Sequence, residues 1–252
     1  MEDTEGHRLF VGSAHALAEH YAALGNIASD FRNHSLNRLL LRTVLGNRVL
    51  DIGCGTGYLL GLLKKEGKTV VGIEPNKRER MLAEKYNPGI RIFSGFAEDT
   101  ETLIDFAVDS IVMADVLEHI EDDRTQLQQL YGFLHSGGRL ILVVPAYAFL
   151  YGNRDKRMGH YRRYSKSHLV SLLTEAGFRI VSIRYWNMLG FFPYLYIEKV
   201  LNKELGTQLR TPGRTSFPKR ILRRFLHVWF AVIENRFDFG FGLSLICVAE
   251  KT

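Results

Sequence analysis

Cysteine is nearly absent: Cys54 and Cys247 are the only two in 252 residues, far apart and each inside an apolar run. That spacing supports neither a disulfide framework nor a thiolate metal centre, so a reducing, intracellular setting without a bound metal is expected. No window holds the roughly 18 uninterrupted apolar residues that would cross a bilayer. The richest stretch, MLGFFPYLYI from Met188 to Ile197, is too short for that, though it suits contact with a membrane or a greasy substrate. The opening MEDTEGHRLF has early acids and no apolar core of a signal peptide, which reads as a cytoplasmic start. Linkers rich in Pro, Gly and Ser, internal repeats and low-complexity tracts are missing too. One elaborated domain over residues 1–252 is therefore expected.

Charge is unevenly spread. The chain carries a net +6, and the stretch from Lys199 to Arg236 holds nine Lys/Arg against two Glu, an excess of +7, so the remainder is close to neutral. An excess of this size is also common in proteins that bind no anionic partner; a nucleic-acid enzyme is favoured by the charge but not by the motifs. Within that stretch, ILRRFLHVWFAVIENR reads as a basic amphipathic helix and TPGRTSFPKR as a loop, so residues 188–236 are expected either to cover the acceptor pocket or to make peripheral contact with a membrane.

Short Val/Ile-rich runs at 48–53, 69–74, 90–95, 109–114 and 139–145 read as strands buried on both faces. Helical stretches at 57–66, 77–86, 121–135 and 166–176 alternate with them, and two later strands are expected at 178–187 and 241–250. This order predicts an α/β fold: a Rossmann-like, seven-stranded, mostly parallel sheet with helices on both faces and an antiparallel last strand. Residues 1–45 are expected to form a helical cover. Residues 188–240 form a helical, basic and aromatic insertion where a short turn would suffice.

The junction VLDIGCGTGYL, Val49 to Leu59, puts Asp51 ahead of Gly53, Gly55 and Gly57, where the first strand becomes a helix. In open parallel sheets ligands bind beyond the carboxyl ends of the strands. A dinucleotide site wants a third glycine where Tyr58 stands, and an acid before the first glycine repels a pyrophosphate while suiting a cationic amine.

Over roughly residues 45–185 and the final strand, these motifs resemble the class I S-adenosylmethionine-dependent methyltransferases, in particular a bacterial branch associated with small molecules and with glycan or lipid biosynthesis. The resemblance implies S-adenosyl-L-methionine as cofactor, with Asp51, Gly53, Cys54, Gly55 and Gly57 around its methionine part. It places Glu74 and Pro75, in VVGIEPN, at the ribose, a carboxylate accepting two hydroxyls. Gly95-Phe96-Ala97-Glu98 stands where relatives often carry Gly-Asp-Ala, with Phe96 in place of the acid. Phe96 there packs on the adenine while Glu98 or Asp99 accepts its amino group. Asp115, Val116 and Leu117, in MADVLEHIEDD, lie beneath the cofactor.

For the acceptor, the loop PAYAFLYGNRDKRMGHYRRYSKSHL supplies Tyr147, Tyr151, His160, Tyr161, Arg162, Arg163 and Tyr164 as candidate substrate contacts. His160 is the first choice for a general base and His119 the second. The fourth strand is not followed by N/D-P-P-Y/F, which argues against methylation of base amines, and neither cysteine is placed for attack on a pyrimidine. The expectation is methyl transfer to a small-molecule or lipid-linked acceptor, at oxygen. N-methylation of a small amine, and a cofactor-binding regulatory protein without turnover, remain the alternatives.

Overall fold

In the computed structural model, residues 30–201 and 217–252 are described. Seven strands, β1 (Arg48–Ile52), β2 (Thr69–Ile73), β3 (Arg91–Phe93), β4 (Val108–Ala114), β5 (Leu134–Pro145), β6 (Phe178–Trp186) and β7 (Ser244–Lys251), form one sheet in the order β3-β2-β1-β4-β5-β7-β6. The five strands β1 to β5 run parallel, and β7 lies antiparallel between β5 and β6. The expected topology is present. Differences lie at strand ends: β3 keeps three residues at the sheet's edge, and β5 begins at Leu134 through an irregularity helped by Gly137 at φ 76°.

Helices α1 (Phe31–Thr43), α2 (Tyr58–Lys65), α3 (Lys77–Tyr86), α4 (Thr100–Leu103), α5 (Asp123–Phe133), α6 (Asn153–Met158), α7 (Lys166–Glu175), α8 (Met188–Tyr194) and α9 (Phe217–Val228) surround the sheet. Their starts follow local chemistry. Asn76 accepts from the backbone N–H of Arg78 and Glu79, Asp122 from Thr125 and Ser165 from His168, relieving orphan donors of the first turn.

The period-2 alternation of β1 sends Leu50 and Ile52 into one core layer, with Leu127 and Leu130 of α5 and Leu169 and Leu173 of α7. Val49 enters the opposite layer, with Leu36 and Leu40 of α1 and Leu59, Leu60 and Leu63 of α2. The helical cover expected over 1–45 is seen as α1 from Phe31 onward; residues 1–29 lie outside the described set.

The insertion before β7 comprises α8, a π-helical turn Leu195–Val200, then α9 and a second π-helical turn Trp229–Glu234. Its expected central loop falls largely on residues 202–216, outside the described set. The buried carboxylate of Glu234 ties its two ends together, accepting from the Met188 backbone N–H at 2.9 Å and from Trp229 Nε1 at 2.8 Å. Asn235 fastens the same point to the fold, accepting from Trp186 Nε1 and donating to the Ser35 carbonyl.

Candidate active site

The β1–α2 turn is built around left-handed glycines. Gly53 has φ 70°, and a Cβ there would lie 2.4 Å from Cγ2 of Val116, so the loop after β4 packs directly against it. Gly55 has φ 53° and nothing within 4 Å of where its Cβ would be, so the backbone borders open space. The first glycine serves packing and the second leaves room for a ligand against the chain. Cys54 contributes backbone only. Its Sγ would sit 2.8 Å from a Cβ on Gly72, in the core layer of α1 and α2, and burial pushes its thiol well above its ordinary range.

Two buried carboxylates face this turn. Glu74 directly follows β2, and its Oε2 accepts from the Gly55 N–H and Oε1 from the Asn76 N–H, both at 2.8 Å. Each oxygen retains a lone pair for a further donor. Burial raises the Glu74 pKa despite those bonds. Asp51, 4% exposed on β1, is pushed up to about 8 by burial and then by the charge of Glu74. Two such acids side by side favour a ligand that brings a cation and hydroxyl donors, which is what S-adenosylmethionine offers through its ammonium group and ribose diol. With the opening at Gly55, the residues present fit that cofactor.

The adenine side departs from expectation in detail. Asp99 Oδ2 accepts from the Phe96 N–H at 2.8 Å, closing a small turn, while Glu98 is exposed. The Ala97 carbonyl is occupied by Gln126 Nε2 and Thr100 Oγ. Phe96 is half-buried, and so is Pro75 next to Glu74. Beyond β4, Asp115 adopts φ 57° and its N–H bonds the Val143 carbonyl, turning the chain so that Val116 reaches Gly53. Leu117 is completely buried in the core, and its side chain has no surface for a cofactor. This corrects the expectation for Leu117.

The following residues meet the loop after β5. Tyr161 N–H bonds the Glu118 carbonyl, and Ala146 pairs with Tyr164, so the loop folds back across the end of β4. His160 Nδ1 lies 2.9 Å from Asp155 Oδ1, and its Nε2 lies 4.0 Å from Glu118 Oε1. His119 meets the His160 ring edge-on at 4.7 Å. Burial would raise Asp155, but the His160 hydrogen bond and the Arg163 guanidinium outweigh it and hold the carboxyl below its usual range. The ionised Asp155 can only accept, so Nδ1 of His160 keeps its proton and donates it in that hydrogen bond, and the lone pair is on Nε2. Burial, with His160 as neighbour, depresses His119 to about 3, so it is neutral near pH 7 and a poor base. Glu118 is 1% exposed, burial followed by the Asp115 charge raises its pKa well above the usual range, and its Oε2 has no hydrogen-bond partner.

Glu118, His119 and His160 are also the residues here that could hold a metal ion, their ligand atoms lying within 4.8 Å of one another. The 4.0 Å gap between His160 Nε2 and Glu118 Oε1 exceeds the roughly 3.3 Å between two ligands of a tetrahedral zinc. The cluster would have to contract to bind one.

Three of the candidate substrate contacts belong instead to the scaffold. Tyr164 is completely buried, its hydroxyl donating to Asp123 Oδ2 at 2.9 Å and toward the Leu117 carbonyl at 3.3 Å. Arg163, 7% exposed, donates to Asp155 Oδ1, the Ala146 carbonyl and the Tyr194 hydroxyl. Arg162 is spent on Asp123 Oδ2 and the Glu121 carbonyl. Tyr151 donates to the His160 carbonyl and so shapes the loop, whereas Tyr161 is half-exposed. Tyr147, at φ 64°, stacks on Tyr185 at 5.1 Å and meets Phe191 edge-on at 5.4 Å. The partners Tyr185 and Phe191 were missed in the sequence because each sits in an ordinary strand or helix pattern.

The sequence profile of a family described as Methyltransferase domain matches residues 21–183. An uncharacterized methyltransferase of Oceanobacillus iheyensis is 36% identical over 97 residues, 38% of this chain and 45% of that protein. The human mitochondrial ubiquinone biosynthesis O-methyltransferase is 31% identical over 127 residues, 47% of this chain and 33% of the other. The chain spans about half the length of the curated relatives it matches. Among solved structures, an S-adenosylmethionine-dependent methyltransferase of Archaeoglobus fulgidus shares the fold with a TM-score of 0.56 at 22% identity, covering 86% of this chain and 91% of its own.

Proposed function

The chain belongs to the methyltransferase domain family, and from that premise we propose that it is an S-adenosylmethionine-dependent enzyme methylating a hydroxyl of a small or lipid-linked acceptor. The observation that carries the reading is the open space at Gly55, whose N–H is held by the buried carboxylate of Glu74, with the buried Asp51 near enough to feel that carboxylate's charge. Bound there, the cofactor supplies an electrophilic methyl group on a positively charged sulfur. Asp51 holds the amino group, Glu74 accepts the ribose hydroxyls, Phe96 offers its ring to the adenine, and Val116 supports the turn from behind.

A hydroxyl acceptor must lose a proton as it becomes a nucleophile. His160 Nε2 is the group with a free lone pair, and Asp155 both fixes its tautomer and stabilises the imidazolium that forms. Glu118 beside it has its carboxyl pKa raised by burial and then by the Asp115 charge, and its Oε2 is left without a hydrogen-bond partner. The Tyr147–Tyr185–Phe191 cluster, on the same loop and its neighbours, supports an apolar or aromatic body for the acceptor.

The test is incubation with methyl-labelled cofactor and a metabolite extract. Label in a small or organic-extractable product, chemically an ether, is expected. Label in RNA, or in an amine alone, would displace the reading, and cofactor binding with no labelled product would favour a protein without turnover.

A further inference from the structure

Helix α9 presents two unlike faces. Toward the protein, Leu226 and Trp229 pack beside buried Phe230, whose ring lies 5.5 Å from Phe31 and 5.2 Å from Trp186. Toward solvent, Ile221 (55% exposed), Phe225 (53%), Val228 (51%) and Val232 (42%) follow one another at spacings of four, three and four, the row that forms one stripe on a helix. Leu222 widens it. Side chains of this size, contiguous and exposed, are not what a surface in water alone selects.

The stripe does not end with the helix. Phe225 contacts Trp229 at 6.1 Å, Trp229 stacks on Phe239 at 5.9 Å, and Phe239 lies 6.5 Å from Phe237, which is 59% exposed. A few residues on, Phe241 packs on Phe191 and Phe192, and Phe191 touches Tyr147 of the acceptor loop. An apolar belt thus runs from the exposed helix toward the edge where the candidate site lies.

The charges select the occupant. From Phe217 to Phe239 there are five Lys/Arg and two acids; Glu234 is buried and bonded to Trp229 and Met188, and Asp238 is paired with Lys166. Arg220 and Arg224 are exposed on α9 itself. An exposed apolar stripe with only positive charge on its helix matches an anionic bilayer, where acyl chains meet the stripe and head groups meet the arginines. A second copy of the chain would bring like charge against like. Among the described residues no helix is long and apolar enough to cross a membrane, so the contact is with the surface. We infer that α9 and the adjoining Trp229–Phe239 segment form a docking surface for an anionic membrane, lying flat in its interface.

Sedimentation of the full chain with vesicles tests this without requiring turnover, so its failure leaves the proposed reaction untouched. Most of the protein is expected to pellet with phosphatidylcholine vesicles containing about one-third phosphatidylserine, and little with phosphatidylcholine alone. The double variant Phe225→Ser/Val228→Ser should lose at least roughly tenfold in vesicle partitioning. Arg220→Ala/Arg224→Ala should lose roughly ten- to thirty-fold on anionic vesicles. Both variants should keep wild-type circular dichroism and cofactor affinity, since neither touches the cofactor turn. Protein that stays in the supernatant, binding unchanged in both variants, or a dimer on gel filtration that Phe225→Ser/Val228→Ser dissociates would overturn the inference, the last in favour of self-association.

Discussion

Nδ1 of His160 lies 2.9 Å from Oδ1 of Asp155, while Nε2 of the same ring faces Glu118 Oε1 at 4.0 Å. One nitrogen is thus spent on orientation and the other is kept for chemistry. His160→Gln should lower turnover by roughly 10² to 10⁴ while leaving the cofactor dissociation constant within about twofold. His119→Gln should cost less than about tenfold, because a ring depressed to about 3 is too weak a base to take up the acceptor's proton near neutrality. A chelator should change nothing, as the proton passes to a ring nitrogen. Parallel calorimetry and turnover measurements decide this; undiminished turnover in His160→Gln, or loss of turnover with chelator, would reject the role given to His160.

Asp51 sets function against stability. Its folded pKa of about 8 stands above the ordinary value of an unfolded aspartate, so the folded chain binds the extra proton. The contribution is present in full below pH ~4 and is lost as pH rises through about 8. Without cofactor, the protein should therefore lose stability across that window, and Asp51→Asn should flatten the loss and raise the melting temperature at pH 8. The same change should weaken cofactor binding at least about 100-fold, since the ammonium loses a buried counter-charge. In the wild type, binding a cation favours the ionised carboxylate, so binding below pH 8 should release protons and tighten as pH rises toward 8. Calorimetry in buffers of different ionisation enthalpy reads that release directly.

The glycines of the turn separate by what lies over them. Gly55→Ala meets open space, so its cost to folding should be the roughly 1 kcal/mol of a left-handed backbone, while cofactor binding falls sharply. Gly53→Ala drives a methyl to within 2.4 Å of Val116 and should destabilise more. Thermal unfolding beside cofactor titration distinguishes them; equal stability losses, or intact binding in Gly55→Ala, would contradict the assignment.

How much of this was visible in the chain depends on periodicity. Alternating β and α patterns marked all seven strands, and the acid–glycine spacing marked the turn, because both are local consequences of backbone geometry. The acceptor loop has no period, and there the letters misled. Arg163 and Tyr164 are polar and aromatic like a binding site, yet the pairing of Ala146 with Tyr164 turns them inward onto Asp155 and Asp123. Leu117 escaped for the same reason, since the turn opened by Asp115 at φ 57° rotates it into the core. The raised pKa of Glu118 was equally hidden, because its cause is burial, which no letter records.

Tyr164→Phe puts that distinction to the test. The hydroxyl is buried and donates to Asp123 Oδ2, which also receives Arg162 at 2.7 Å, so the substitution removes one bond of a closed network and leaves the ring in place. Leaving a buried acceptor one donor short costs about 1–3 kcal/mol, and the melting temperature should fall accordingly. Because the hydroxyl faces Asp123 and Leu117 rather than a cavity, the KM for the acceptor should stay within about twofold of wild type. A substrate-binding tyrosine would show the reverse, a raised KM with unchanged melting. Thermal denaturation and steady-state kinetics on the same preparation therefore decide whether the GHYRRY segment grips the acceptor with its tyrosine or, as the bonds indicate, grips the protein and presents His160.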